Sequence, residues 1–250
     1  MKIEVILSPA ELPALARRDL LQTACVVFDV LRATSTFVTA LHNGAKQIIP
    51  VAEISEALAI RKKQPDVLLG GERDGLKIRA AQTGGRDFDF GNSPREYTPE
   101  KVRGRTIVST TTNGTRALRA CAGVRTVLAA SFLNLGATAR FLQGKKFEVV
   151  LPVCAGTREN AALEDILAAG ALCEILGGGK SAEILSDSAQ IALGAFTRAK
   201  PALAAAIRHS ENARRLRAIP ALRGDVPFCL QRDVFPLVAQ LEADGAIRCQ

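Results

Sequence analysis

The chain is expected to fold as a layered α/β protein. Its sheet should be mixed but largely parallel and flanked by helices, and its C-terminal third helical. Two observations carry this expectation. Short apolar runs alternate with Ala- and Leu-rich helical patterns up to about residue 158, the rhythm of strand–helix units. Beyond that point only helical patterns follow, apart from one late apolar run.

The elements follow in order. The N-terminal MKIEVIL reads as a strand over Lys2–Leu7, too short in its apolar part for a signal peptide. Residues 9–20 read as helical. Further strands are expected at Ala24–Val30, Gln47–Val51, Val67–Gly70, Thr106–Ser109, Thr126–Ala130 and Phe147–Val153, with helices near 34–43, 53–64, 114–122 and 132–143. The last third should hold helices at 160–176, 181–199, 201–209 and 211–218, broken at Gly177–Gly179 and Pro201. A final strand is expected near Val226–Leu230. No Ser-, Pro- or Gly-rich linker divides the chain, so residues 1–250 are read as a single domain.

Composition narrows the function. At 250 residues and 48% hydrophobic content, the chain can bury a sizeable core. No apolar run is long enough to span a bilayer, and a cytoplasmic protein is expected. The six cysteines form no C-x-x-C pair and there are only two histidines, which argues against a zinc site. Cys25, Cys154 and Cys173 lie in apolar runs and should be buried, reduced thiols. The formal charge of +8 suits either nucleic acid or an anionic metabolite. The basic residues are scattered, and the densest group, Arg208–Arg217, reads as a solvated helix face. With one Tyr and no Trp there are few platforms for base stacking, so a small anionic partner is expected, without nucleic acid or membrane. Homodimerisation is compatible with the sequence.

Three strand-to-helix turns concentrate polar groups. The run VVFDVLRATSTF ends a strand in Asp29, followed by Arg32, Thr34, Ser35 and Thr36. Asp29 can serve as a structural cap, or stand at the carboxyl edge of an open sheet where ligands bind. Arg32 offers a fork suited to phosphate or sulfonate. The run Ser109–Thr115, with Thr110, Thr111, Asn113, Gly114 and Thr115, precedes a helix. Free N–H groups and hydroxyls there form an anion cradle, or else a heavily capped turn. The third turn follows Val149–Gly156 and carries Arg158, then Glu164 and Asp165. Adjacent on a helix, these two acids point about 100° apart. They read as a solvated pair or, with Asp29 and Glu72, as hard ligands for Mg²⁺. Residues 70–98 are rich in Gly and charge, yet Leu76, Ile78, Phe88 and Phe90 give them something to pack, so an ordered, ligand-facing loop is expected.

Several hydrolase signatures are missing: a Cys-x₅-Arg loop, a G-x-S-x-G elbow and a Walker loop. The first turn has the shape of the haloacid-dehalogenase nucleophile motif, but Leu31 stands where that motif needs its second Asp.

FDVLRATST (28–36), GGER (70–73) with Lys77, GNSPREY (91–97), STTTNGT (109–115) and CAGTRENAALED (154–165) together resemble the 2-phosphosulfolactate phosphatases. The resemblance covers most of residues 25–175. It departs over Arg79–Arg86 and the following Asp87-Phe88-Asp89-Phe90. It implies a Mg²⁺-dependent phosphomonoesterase that converts 2-phospho-3-sulfolactate, or a related 2-phospho-hydroxy acid, to 3-sulfolactate and phosphate, a step toward coenzyme M. It further implies Asp29, Arg32 and Glu72 as catalytic residues. Metal would be bound by Asp29, Glu72, Glu164 and Asp165. Substrate contacts would come from Thr34, Ser35, Arg73, Lys77, Asn92, Ser93, Thr110, Thr111, Asn113, Gly114, Thr115 and Arg158. A non-catalytic small-anion binding protein is the alternative reading.

Overall fold

The computed structural model describes residues 1–178 and 184–250. The expected helix start at residue 181 and the last glycine of the Gly177–Gly179 break lie outside the described residues.

The core is a mixed sheet in two parallel halves. One half contains β1 (Lys2–Ile3), β8 (Val149–Cys154), β2 (Thr23–Phe28) and β7 (Thr126–Ala130), in that order. The other contains β3 (Gln47–Pro50), β6 (Thr106–Thr110) and β4 (Leu68–Arg73), with β5 (Leu76–Lys77) folded back on β4. Between the halves lies a hairpin, β9 (Ala239–Leu241) and β10 (Ile247–Cys249), antiparallel to β7 on one side and to β3 on the other. Every residue of β2 is buried, as expected of a central strand covered on both faces.

The three antiparallel steps through the hairpin reverse direction, so β3, β6 and β4 run opposite to β2. In a flat sheet, the carboxyl ends of the two halves would lie on opposite edges. They meet because the sheet bends around α2 (Ala33–His42), which contacts β7, β9 and β3. Residues Ala33–Leu41 of this helix are all buried. Phe37, Val38 and Leu41 pack in one cluster with Val27 of β2, Ile48 of β3 and Ile107 of β6. A second cluster on the far face joins Val26 and Phe28 of β2 to α7 (Leu135–Gln143) and α8 (Leu163–Gly177). A third, with Val51, Leu69, Ile78 and Phe88, lies under α3 (Ile54–Lys63).

The helical C-terminal region begins with α8 and continues with helices at Asp187–Ala199, Leu203–Ile207, Glu211–Ala218 and Asp225–Cys229. Ser186 and Ser210 cap the first and third of these, each accepting a backbone N–H three residues on. Residues 225–229 therefore form a helix, not the expected strand. An apolar run this short fits either template, and Asp225 supplies an acidic first turn. The first strand is also shorter than expected, with Ile6 meeting Val153 only in an isolated bridge. The expected helix over 9–20 contracts to a 3₁₀ turn at Pro9–Glu11 and one turn of helix at Leu12–Leu15, α1. The 70–98 segment is ordered around the β4–β5 hairpin, with Phe88 and Tyr97 buried. Cys25, Cys154 and Cys173 are buried free thiols. No helix among the described residues is long and apolar enough to cross a membrane.

Candidate active site

The site forms where the carboxyl ends of the two half-sheets converge. Asp29 follows β2 directly and is buried. The N-cap residue of α2, Arg32, makes no side-chain cap. Instead the Ala33 N–H donates to Asp29 Oδ1 at 3.0 Å. The Gly114 N–H, at the start of α6 (Gly114–Ala120), also hydrogen-bonds to the Asp29 carboxylate. One carboxylate thus satisfies orphan donors at two helix starts. Its turn is fixed locally. The Thr34 hydroxyl accepts from the Asp29 N–H and donates to the Asp29 carbonyl, and Ser35 Oγ donates to the Val30 carbonyl. The hydroxyls of Thr34 and Ser35 are therefore spent on shaping the turn.

Burial raises the Asp29 carboxyl from 3.8 to about 6. The Ala33 and Gly114 N–H groups pull it down, while the negative charges of Glu72 and Glu164 push it up. Glu72, at the end of β4, is buried and engaged on both oxygens. Oε1 accepts from the Thr112 N–H and hydroxyl at 2.8 and 2.9 Å, and Oε2 accepts from the Gly75 N–H at 2.6 Å. The donors at 112 and 114 were expected to cradle a ligand anion. They face the protein's own carboxylates, because β4 and β2 deliver Glu72 and Asp29 against the same turn. Thr111 and Thr115 bond to each other within it, and Thr110 Oγ1 donates to the Ala52 carbonyl.

Glu164 and Asp165, at the start of α8, are both buried but differ in use. Asp165 accepts the Val30 N–H on Oδ1 at 2.8 Å and the Gly156 N–H on Oδ2 at 3.0 Å, bracing the loops after β2 and β8. Burial, with Asp29 and Glu164 nearby, pushes its carboxyl well above the ordinary range. Glu164 accepts from Asn212 on Oε1 at 2.7 Å, and its buried Oε2 has no partner. Asn92 Oδ1 is likewise buried and unpartnered. Burying such acceptors is costly without a partner, so they suit a hard cation or a ligand donor. Among the described residues, no three His, Cys, Asp or Glu side chains close into a contracted metal shell.

A cleft of about 290 Å³ opens on Asp29, Glu72, Asn92 and Asn113, with Arg32 and Arg215 on its wall. Arg32 is buried, donating to Asp225 at 2.8 Å and to the Gly75 carbonyl at 2.6 Å. Ser93 Oγ donates to the other Asp225 oxygen at 2.7 Å. Three expected contacts are drawn off elsewhere: Arg73 to Glu72, Ala52 and Thr110, Lys77 to the Asp89 carbonyl, and Ser93 to Asp225. Arg158 is exposed, its N–H donating to Asn113 Oδ1 at 3.1 Å.

Sequence reasoning missed Asn212, Arg215 and Asp225. The Arg208–Arg217 stretch read as a solvated face, yet the helix Glu211–Ala218 turns Asn212, Ala213 and Leu216 inward. Their spacing was the available signal, since burial at Ala213 and Leu216 places Asn212 on the inner side.

Comparisons with known proteins agree with this site. A family model described as 2-phosphosulpholactate phosphatase matches residues 10–244. A relative from Caldanaerobacter subterraneus, named probable 2-phosphosulfolactate phosphatase, is 40% identical over 92% of this chain and 92% of its own length. One from Thermotoga petrophila, with the same name, is 44% identical over 86% of this chain and 88% of its own. A third, from Clostridium acetobutylicum and again so named, is 34% identical over 96% and 97%. With the match running through every strand–helix turn that builds the cleft, the chain belongs to the 2-phosphosulfolactate phosphatase family.

Proposed function

We propose that this phosphoric monoester hydrolase removes phosphate from 2-phospho-3-sulfolactate, or a closely related 2-phospho-hydroxy acid, with the help of Mg²⁺. The observation that carries the reading is the buried acidic cluster facing a cleft with two arginines. Asp29 is held at about 6 by burial and by Glu72 and Glu164, so all three carboxyls influence one space. A divalent cation there would relieve that repulsion. Its hard-oxygen preference matches Glu164 Oε2 and Asn92 Oδ1, which have no protein partner.

In this reading Asp29, Glu72 and Glu164 would hold Mg²⁺, with Asn92 alongside; when bound, the ion supplies charge neutralisation at the phosphoryl oxygens. Asp29 is the carboxylate placed to orient or deprotonate the attacking water, since a base near 6 is mostly ionised at neutral pH yet basic enough to accept a proton. Arg32 supplies a fixed positive charge at the cleft wall, oriented by Asp225 and the Gly75 carbonyl. The packed cleft limits water to what its polar groups hold. A small anionic metabolite as partner and a cytoplasmic site of action belong to the same proposal.

The test is a screen of phosphorylated hydroxy acids for phosphate release, with Mg²⁺ and with excess chelator. Release from the 2-phospho acids that stops in chelator is the expected result. Full turnover in chelator removes the metal from the proposal, and no release from any 2-phospho acid removes the substrate class.

A further inference from the structure

We propose that Arg215 reads a second anionic group of the substrate, the sulfonate or carboxylate that is not transferred, and so determines specificity. This rests on the reading of the cleft as a phosphoester site.

Arg215 comes from the C-terminal helices, outside the strand–helix turns that carry the family motifs. Its guanidinium lines the cleft beside Asp29 and Glu72. Its NH2 donates to Asn212 Oδ1 at 3.0 Å, while its buried Nε has no hydrogen-bond partner. A buried N–H left unpaired costs free energy that a ligand acceptor would recover. Arg32 differs: its charge is matched by Asp225 within a buried ion pair. Among the described residues Arg215 forms no ion pair, so it is the uncompensated cation of the cleft wall.

The surroundings keep it poised. Gly75 adopts φ +80°, and a Cβ there would come within 3.6 Å of Arg215 Nε, so this glycine leaves the guanidinium room over the hairpin turn. The Gly75 carbonyl also accepts from Arg32, which places both arginines around one residue. Asn212 orients Arg215 and links it to the acidic wall, since its Nδ2 donates to Glu164 Oε1 and to Thr157 Oγ1, both at 2.7 Å. A planar fork fixed on one edge presents its remaining N–H groups to a carboxylate or sulfonate. The turns at 34–36 and 109–115 cannot take this role with donors already spent on Asp29 and Glu72.

The experiment compares wild type with Arg215→Gln and Arg215→Lys on 2-phospho-3-sulfolactate and on 2-phospholactate, which keeps the carboxylate and lacks the sulfonate. Loss of charged hydrogen bonds should raise KM roughly 10- to 100-fold with kcat little changed, and Lys should restore part of it. A rise confined to the sulfonated substrate identifies the sulfonate; a rise with both identifies the carboxylate. Titration of 3-sulfolactate by calorimetry should weaken in parallel, and unchanged melting temperatures exclude unfolding. Unchanged KM, or a fall in kcat alone, overturns the assignment while leaving the hydrolase reading standing. A wild type that neither hydrolyses these esters nor binds 3-sulfolactate overturns the reading of the site itself, and the assignment with it.

Discussion

Gly114 stands so close to Asp29 that a Cβ added to it would lie 2.8 Å from Asp29 Oδ2 and 2.6 Å from the Ala33 Cβ. Two helix starts, one from each half-sheet, are thus drawn together on a single carboxylate. The contact joins halves that run in opposite directions, and it holds only because the sheet bends around α2. Where the bend closes, a negative charge is buried against two other acids.

Gly114→Ala should therefore push Asp29 and α6 apart. Overpacking at a close backbone approach costs about 1–3 kcal/mol, and turnover should fall with it because the carboxylate moves. Thermal melts and kcat measured together check this. An alanine variant with wild-type stability and rate would show that the junction yields freely.

The raised carboxyl of Asp29 makes stability and activity oppose each other. Between 3.8 and about 6 the folded protein holds a proton that the unfolded chain has released, so stability falls as pH rises through this window. Above it, ionised Asp29 costs the fold about 3 kcal/mol, an order-of-magnitude figure from a shift of about two units. Asp29→Asn should melt higher than wild type at pH 7.5 in the absence of divalent cations, and the gap should close toward pH 4. The same variant should lose activity by a factor on the order of 10² or more. Wild-type turnover should decline as pH drops through about 6. A melting gap that does not vary with pH would remove Asp29 as the titrating group.

Much of this was legible in the sequence because parallel strands bring their loops to the sheet edge where the chain visibly changes character. Asp29, the 109–115 turn and the Glu164-Asp165 pair all sit at such changes. The sheet's centre was not legible. AQL and IRC, the β9 and β10 strands, are three residues each and too short to show a period, yet they join the two halves. Their place is set by pairing partners about 110 and 200 residues earlier in the chain. Nor could sequence separate Arg215 from its neighbours Arg214 and Arg217, because only packing decides which arginine of a basic helix turns inward. The turns at 34–36 and 109–115 were correctly placed, but what fills them depends on Asp29 and Glu72 arriving from other strands.

Glu164 and Asp165 should separate on mutation, although the sequence makes them twins. Asp165→Asn sets an amide NH2 against one of two buried backbone donors, Val30 or Gly156, and should cost about 1–3 kcal/mol. Glu164→Gln keeps an acceptor for Asn212 and should fold as wild type, while weakening Mg²⁺ binding about 10- to 100-fold. Denaturant melts and a Mg²⁺ titration of both variants decide the matter. Equal effects on metal binding would return Asp165 to the ligand set.

The ion pair between Arg32 and Asp225 ties the C-terminal helices to the first turn. Arg32 is 3% exposed and Asp225 fully buried, so neither charge has water to fall back on. Deleting one partner of such a pair strands the other, which costs about 3–5 kcal/mol. Asp225→Ala should therefore lower the urea midpoint sharply and free Ser93 and Arg32 together. Replacing both members, Arg32→Met with Asp225→Leu, removes the stranded charge and should recover much of that stability. Activity should not return with it, because the guanidinium that faces the cleft is gone. The contrast is the useful result. If the double variant is as unstable as Asp225→Ala, the loss comes from packing around residue 225. If it is stable and still hydrolyses substrate at the wild-type rate, Arg32 only fastens the C-terminal helices and has no part in the reaction.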